Sequence, residues 1–184
     1  MSESSAAVTK SDHGIFAPLT HATFRSMWIS STVSNTGSLI QSVGAAWVMA
    51  VISTADHVAL VQTASFLPMA LLALPAGAIA DIYDRRKVQI VFLLLALVSV
   101  ILMVVVSQMG LITPWILLAL CFLVGSGGAL SAPARGASVG EQVPRELLPQ
   151  AVGLNNISYN LARSLGPAIG GVILWMGHDS FPCP

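Results

Sequence analysis

Long uncharged apolar runs, separated by short polar stretches, set the pattern of this chain. No Asp, Glu, Lys or Arg occurs between Ser26 and Ala55, and none in Val58–Ala80 or Val88–Gln108. Each run exceeds the roughly 20 residues a helix needs to cross a ~30 Å hydrocarbon core. Two more segments continue the pattern, at about 113–132 and 149–176. The spacing therefore predicts five helices, at about 27–52, 58–80, 88–108, 113–132 and 149–176, and an all-α integral membrane protein. Residues 1–23 read as a polar N-terminal tail, 24–176 as the transmembrane region and 177–184 as an atypical tail. Helix 1 is diluted by Ser, Thr, Asn35 and Gln41, which suits a helix facing protein or a cavity. Helix 3 is the most aliphatic and is expected to be the most lipid-exposed. Pro68 and Pro75 fall inside helix 2, which a membrane helix tolerates where neighbours satisfy the freed carbonyls.

Composition sharpens this reading. Apolar residues make up 55% of the chain and charged residues 9%, against roughly 25% charged in ordinary soluble domains. A net charge of zero carries no pointer to nucleic acid, and no nucleic-acid partner is expected. Cys121 lies in an apolar run and Cys183 is next to last, so no disulfide framework is expected. Four scattered His suggest no metal site. There is no nucleophile–base pair and no phosphate-binding glycine loop, so neither an enzyme nor a cofactor is expected. The lipid bilayer is the implied environment.

The placement of charge is more informative than its amount. Five of the sixteen Asp, Glu, Lys and Arg residues lie between Asp81 and Lys87, in a hairpin between two apolar spans. Lys10, Arg25, Arg85, Arg86, Lys87, Arg135 and Arg145 fall on one side of the expected topology, and no basic residue falls on the other. By the positive-inside rule that side is cytoplasmic, with the N-terminus inside and the plasma or inner membrane as location. Arg163 is the one charge placed well inside a span, about 14 residues from Pro149 at ~1.5 Å each. An Arg near mid-bilayer is expensive unless it faces a polar interior or a partner. Asn156, Tyr159, Asn160, Arg163 and Pro167 follow at steps of three or four. With Asn35, Ser38 and Gln41 they suggest a polar cavity. Arg163 reads equally as a substrate or coupling contact and as a structural Arg satisfied by carbonyls and Asn side chains.

The hairpin Gly77-Ala-Ile-Ala-Asp81-Ile-Tyr-Asp84-Arg85-Arg86 resembles the Gly-x-x-x-Asp-x-x-Gly-Arg-Arg/Lys signature of the major facilitator superfamily of secondary transporters. Asp84 stands where that pattern has Gly. In helix 5, Arg163-Ser-Leu-Gly166-Pro167-Ala-Ile-Gly170-Gly171 resembles the Gly-Pro-x-x-Gly-Gly element of exporting, antiporter members. Phe24 to Trp47 and Ser131-Ala-Pro-Ala-Arg135-Gly136 resemble the exporter branch that includes the enterobactin exporter and macrolide efflux proteins. The resemblance implies a cytoplasmic gating role for Gly77, Asp81, Asp84, Arg85 and Arg86. It also implies leak-tight packing at Gly166, Pro167, Gly170 and Gly171, and outward movement of small amphipathic molecules of drug or siderophore type. Efflux members often carry an Arg inside helix 4, and the segment 113–132 contains none.

Members of this superfamily use two halves of six helices. Five spans followed by His178-Asp-Ser-Phe-Pro-Cys-Pro184 are expected to represent a truncated N-terminal half, inactive alone, whose partner is the missing C-terminal half. A half-transporter with a separate partner and a non-transporting scaffold are the other readings the residues leave open.

The topology is tested by cysteine labelling in a Cys121→Ser, Cys183→Ser background. A Lys87→Cys side chain should react with an impermeant maleimide only after permeabilisation, and Asp56→Cys in intact cells. The reverse pattern would invert the orientation.

Overall fold

The structure, a computed structural model, describes residues 15–177. Expectations for the first 14 residues, including Lys10, and for the tail from His178 lie outside the described residues. Five helices follow one another: α1 (Ala22–Ile52), α2 (Ala55–Ile82), α3 (Arg85–Gln108), α4 (Pro114–Gln142) and α5 (Leu148–Gly177). Two short 3-10 turns, Ala17–Thr20 and Arg145–Leu147, precede α1 and α5. Four of the helices, α1 to α4, are long and apolar enough to cross a membrane. The chain is thus an all-α, multi-pass membrane protein. At 30 residues α5 has the length for a crossing, but Asn155, Asn156, Asn160 and Arg163 dilute its apolar character.

Helix boundaries follow local chemistry. Asp84 caps α3, its carboxylate accepting from the Arg86 backbone N–H at 2.9 Å. Thr113 caps α4 ahead of Pro114, whose missing N–H would be unpaired at a first turn in any case. Gly110, at φ +67°, makes the turn from α3 into α4. One expectation needs correction. Helix 4 does not end at Ala132; it continues through Pro133 to Gln142. Proline removes one helix hydrogen bond, but buried Ala134 and Val139 keep the following turns packed. Arg135 is therefore a helix residue and not part of a loop, so α4 does carry an arginine.

Burial of apolar surface drives helix association weakly inside a bilayer, so close contact between small residues matters more. Helix α4 packs along both α2 and α3, which touch each other little. The reason lies in two glycines. Residues 125 and 127 are about 200° apart around a helix, so they face opposite sides. A Cβ on Gly125 would collide with the Ser65 backbone carbonyl of α2, and one on Gly127 would lie 2.6 Å from the Phe92 carbonyl oxygen of α3. Both backbones come this close only because no side chain intervenes.

The second seam joins α1 to α5. Trp28 Nε1 donates to the Leu154 carbonyl at 3.0 Å, and the Thr32 and Ser158 hydroxyls are 2.6 Å apart. Further along, a Cβ on Gly166 would sit 2.6 Å from Leu39 Cβ, and one on Gly170 3.3 Å from Val43 Cβ. The paired residues advance together, so α1 and α5 run parallel, as four chain reversals require. The α5 side of the seam is the buried stripe Ala151, Leu154, Ser158, Ala162, Gly166 and Gly170, at steps of three and four.

Two apolar clusters hold opposite ends of the bundle. Phe24, Val139, Val143, Leu147, Ala151 and Leu154 pack at the end bearing the 3-10 turns. Ala45, Met49, Val61, Leu117 and Cys121 pack at the other. Helix α3, aliphatic over most of its length, stays largely uncovered and exposes Ile90, Leu94, Leu97, Ile101 and Val105.

Gly166→Leu and Gly125→Leu should each destabilise the protein by about 1–3 kcal/mol, because overpacking forces backbones apart. Gly171→Ala, where a Cβ meets nothing within 4 Å, should be near neutral. Thermal unfolding in detergent, followed by exposure of Cys121 to a thiol-reactive dye, measures all three.

Candidate functional site

Two features concentrate polar chemistry. The first is the turn between α2 and α3. Its backbone has no positive φ at Asp84, which lies at −58°, 117°. The turn therefore does not require the glycine of the general signature, and the carboxylate adds an N-cap in its place. Arg85 pairs with Glu141 at the end of α4, Nη1 to Oε1 at 2.5 Å, with the two side chains 38% and 68% exposed. Such exposed pairs contribute about 0–1 kcal/mol, so this contact orients more than it stabilises. Asp81, Arg86 and Lys87 are exposed and form no ion pair among the described residues. A Cβ on Gly77 would meet nothing within 4 Å.

The second feature is a groove of about 440 Å³ between α1, α3, α4 and α5. Ser31, Ser34, Asn35 and Ser38 enter it from α1 at steps of three, one and three, one helical face. Helix α4 contributes Gly128, Arg135 and Gly136, and α5 contributes Asn155 and Ser158. Arg135 is half-buried and donates through Nη2 to the Ser131 hydroxyl at 3.3 Å, which in turn donates to the Gly128 carbonyl at 3.0 Å.

The polar residues singled out from sequence are divided by this arrangement. Asn35 and Ser38 line the groove. Gln41 lies about 120° round α1 from Asn35 at 100° per residue, and its amide reaches Met103 Sδ of α3 at 3.8 Å. Asn156, Tyr159, Asn160 and Arg163 occupy the face of α5 turned away from α1 and are exposed. Asn160 there bonds the Asn156 carbonyl at 2.8 Å, and Arg163 has no hydrogen-bond partner among the described residues. Pro167 is on the same exposed face. Gly166 and Gly170 are in the α1 seam, whereas Gly171 faces open space. Sequence reasoning missed Arg135, Asn155 and Ser158. The signal was present in the Ser131/Arg135 spacing of four, but it required helix 4 to continue past Pro133.

The capping role of Asp84 predicts an unusual order of substitutions. Asp84→Ala should lower stability by about 1 kcal/mol, and Asp84→Gly by only a few tenths. Equilibrium unfolding of the two variants in mixed micelles would decide it; equal losses would remove the cap.

Comparison with known proteins agrees with this architecture. A family model described as transmembrane secretion effector matches residues 13–179. The chain is 33% identical over 144 residues to a staphyloferrin A transporter of Staphylococcus aureus (strain NCTC 8325 / PS 47), covering 77% of this chain and 36% of that protein. It is 29% identical over 108 residues to the MFS-type transporter YfiS of Bacillus subtilis (strain 168), 59% of this chain and 25% of that one. To macrolide efflux protein A of Streptococcus pyogenes it is 24% identical over 152 residues, 82% of this chain and 37% of that one. The chain thus spans between a quarter and two fifths of the length of these curated relatives. No solved structure matches it. An all-α membrane bundle, a family match over nearly the whole chain and the signature turn lead to one conclusion: the chain belongs to the transmembrane secretion effector family of the major facilitator superfamily, as a multi-pass membrane protein.

Proposed function

We propose that the chain forms the first five spans of an N-terminal six-helix bundle in a secondary active exporter of small amphipathic molecules, of drug or siderophore type. The observation that carries this reading is the exposed polar face of α5. Arg163 lies halfway along a 30-residue helix, with Asn156, Tyr159 and Asn160 beside it, on a face that no described helix covers. A charge at that depth facing lipid is expensive, so this face looks onto a polar path or a second helical half that closes it. In this reading α5 is the fifth span and the charged turn lies in the cytoplasm. The C-terminal half supplies the opposite wall.

The charged turn then acts as the cytoplasmic latch. Asp81, exposed and unpaired among the described residues, accepts from backbone N–H groups at a helix N-terminus of the second half, a contact of ~1 kcal/mol. The Arg85–Glu141 pair joins the start of α3 to the end of α4, and Arg86 adds positive charge to the same turn. Gly166 and Gly170 keep α5 tight against α1, which seals the path on one side. The relatives bearing staphyloferrin A and macrolide efflux names support the substrate class.

The test is export from cells carrying the genomic segment with its downstream DNA, in a host lacking its own exporters. Expression should lower accumulation of a labelled macrolide or siderophore. Asp81→Asn and Arg163→Gln should each cost about tenfold or more in export, or ~1.4 kcal/mol, with membrane abundance unchanged. Accumulation indifferent to expression for both cargo types would overturn the reading.

A further inference from the structure

We infer that the groove at Arg135 is a binding site for an oxyanion, with a carboxylate-bearing small molecule as the ligand class it fits. Arg135 is the sole ionisable side chain among the residues lining the groove. Its guanidinium has five N–H donors in a fixed fork, and one is used, on the Ser131 hydroxyl of its own helix. It forms no ion pair among the described residues. A half-buried cation with spare donors is stable where an anion completes its shell, and a planar fork is matched best by a carboxylate or phosphate taken bidentately.

The surroundings suit the same ligand. Ser31, Ser34, Asn35 and Ser38 present hydroxyls and an amide from one face of α1, and Asn155 adds a second amide from α5. None carries negative charge, so nothing in the groove competes with an incoming anion. The Ser38 hydroxyl donates to the Ser34 carbonyl at 3.0 Å, which leaves its oxygen as an acceptor for a hydroxyl on the ligand. Gly128 and Gly136 line the wall with no atom within 4 Å of a built Cβ, which leaves room beside the guanidinium. A volume of about 440 Å³ lies within the range of small-molecule sites. Trp28 and Phe24 supply apolar walls for the remainder of an amphipathic ligand.

This site is separate from the exposed face bearing Arg163, and its occupancy is measurable without transport. The full chain is purified with Trp47, Trp115 and Trp175 replaced by Phe, leaving Trp28 in the groove as the sole tryptophan, excited selectively over the two tyrosines. Citrate serves as the probe, and sorbitol as the neutral control. Citrate should change Trp28 emission saturably, and sorbitol should not. Arg135→Gln should weaken the apparent affinity about thirtyfold or more, Arg135→Lys should recover part of it, and Arg163→Gln should leave it unchanged. Asn35→Asp is the second variant, for the case that Arg135→Gln does not remain monodisperse; a carboxylate built into the groove should abolish citrate binding. Nanodiscs with and without phosphatidylglycerol separate the two sources of oxyanion. Competition by the anionic lipid that depends on Arg135 identifies a headgroup phosphate as occupant, and its absence identifies a soluble carboxylate. No saturable response to citrate at millimolar concentrations, or equal affinity in wild type, Arg135→Gln and Asn35→Asp, would overturn the site. Loss of export with citrate binding intact would instead remove the transport reading alone.

Discussion

Close approach of helix backbones at glycine is the constraint on which the rest of this bundle depends. Lipid tails are as apolar as leucine, so burying apolar side chains does little to bring one membrane helix to another. Contact must come from packing at short distance. Gly125 and Gly127 place α4 against α2 on one side and α3 on the other, and Gly166 and Gly170 seat α5 on Leu39 and Val43 of α1. The Trp28 bond to the Leu154 carbonyl and the Thr32–Ser158 hydroxyl pair secure the other half of the α1–α5 seam. With those two seams in place, the groove between α1, α3, α4 and α5 follows as the space that the small residues leave.

The same seams sort polar from apolar surface. Helix α3 is pinned by the face carrying Phe92 and Ala96, so its aliphatic residues turn outward to lipid. Helix α5 is pinned by its small-residue stripe. Its asparagines, Tyr159 and Arg163 therefore turn away from α1, while Asn155 and Ser158 remain on the groove side. One sequence of polar residues thus serves two faces. At the charged end, Asp84 caps α3 and Arg85 reaches Glu141, so the signature turn is built into the bundle through the ends of α3 and α4. Asp81 remains exposed on the preceding turn.

Much of this was legible from the residues alone. Uncharged runs longer than a bilayer crossing identify a multi-pass helical protein without any knowledge of packing, because no other structure satisfies so much backbone in lipid. The charged hairpin and the Gly-Pro element of α5 pointed to the superfamily, and that resemblance implied tight packing at Gly166 and Gly170. Side-chain direction was not legible. Steps of three and four place Asn156, Tyr159, Asn160 and Arg163 on one face, but nothing local decides whether that face meets α1 or turns from it. Gln41 belonged with Asn35 by residue type and departs from it by helix geometry. Proline at 133 read as a stop, yet contacts made by Ala134 and Val139 carry α4 on and turn Arg135 from a loop charge into a groove cation. The sequence by itself determined the helices, their membrane setting and the family, since hydropathy and length are properties of each segment. Which faces meet, and so which polar residues share a cavity, was decided by the tertiary structure, because it depends on the closest approach of helices far apart in the chain.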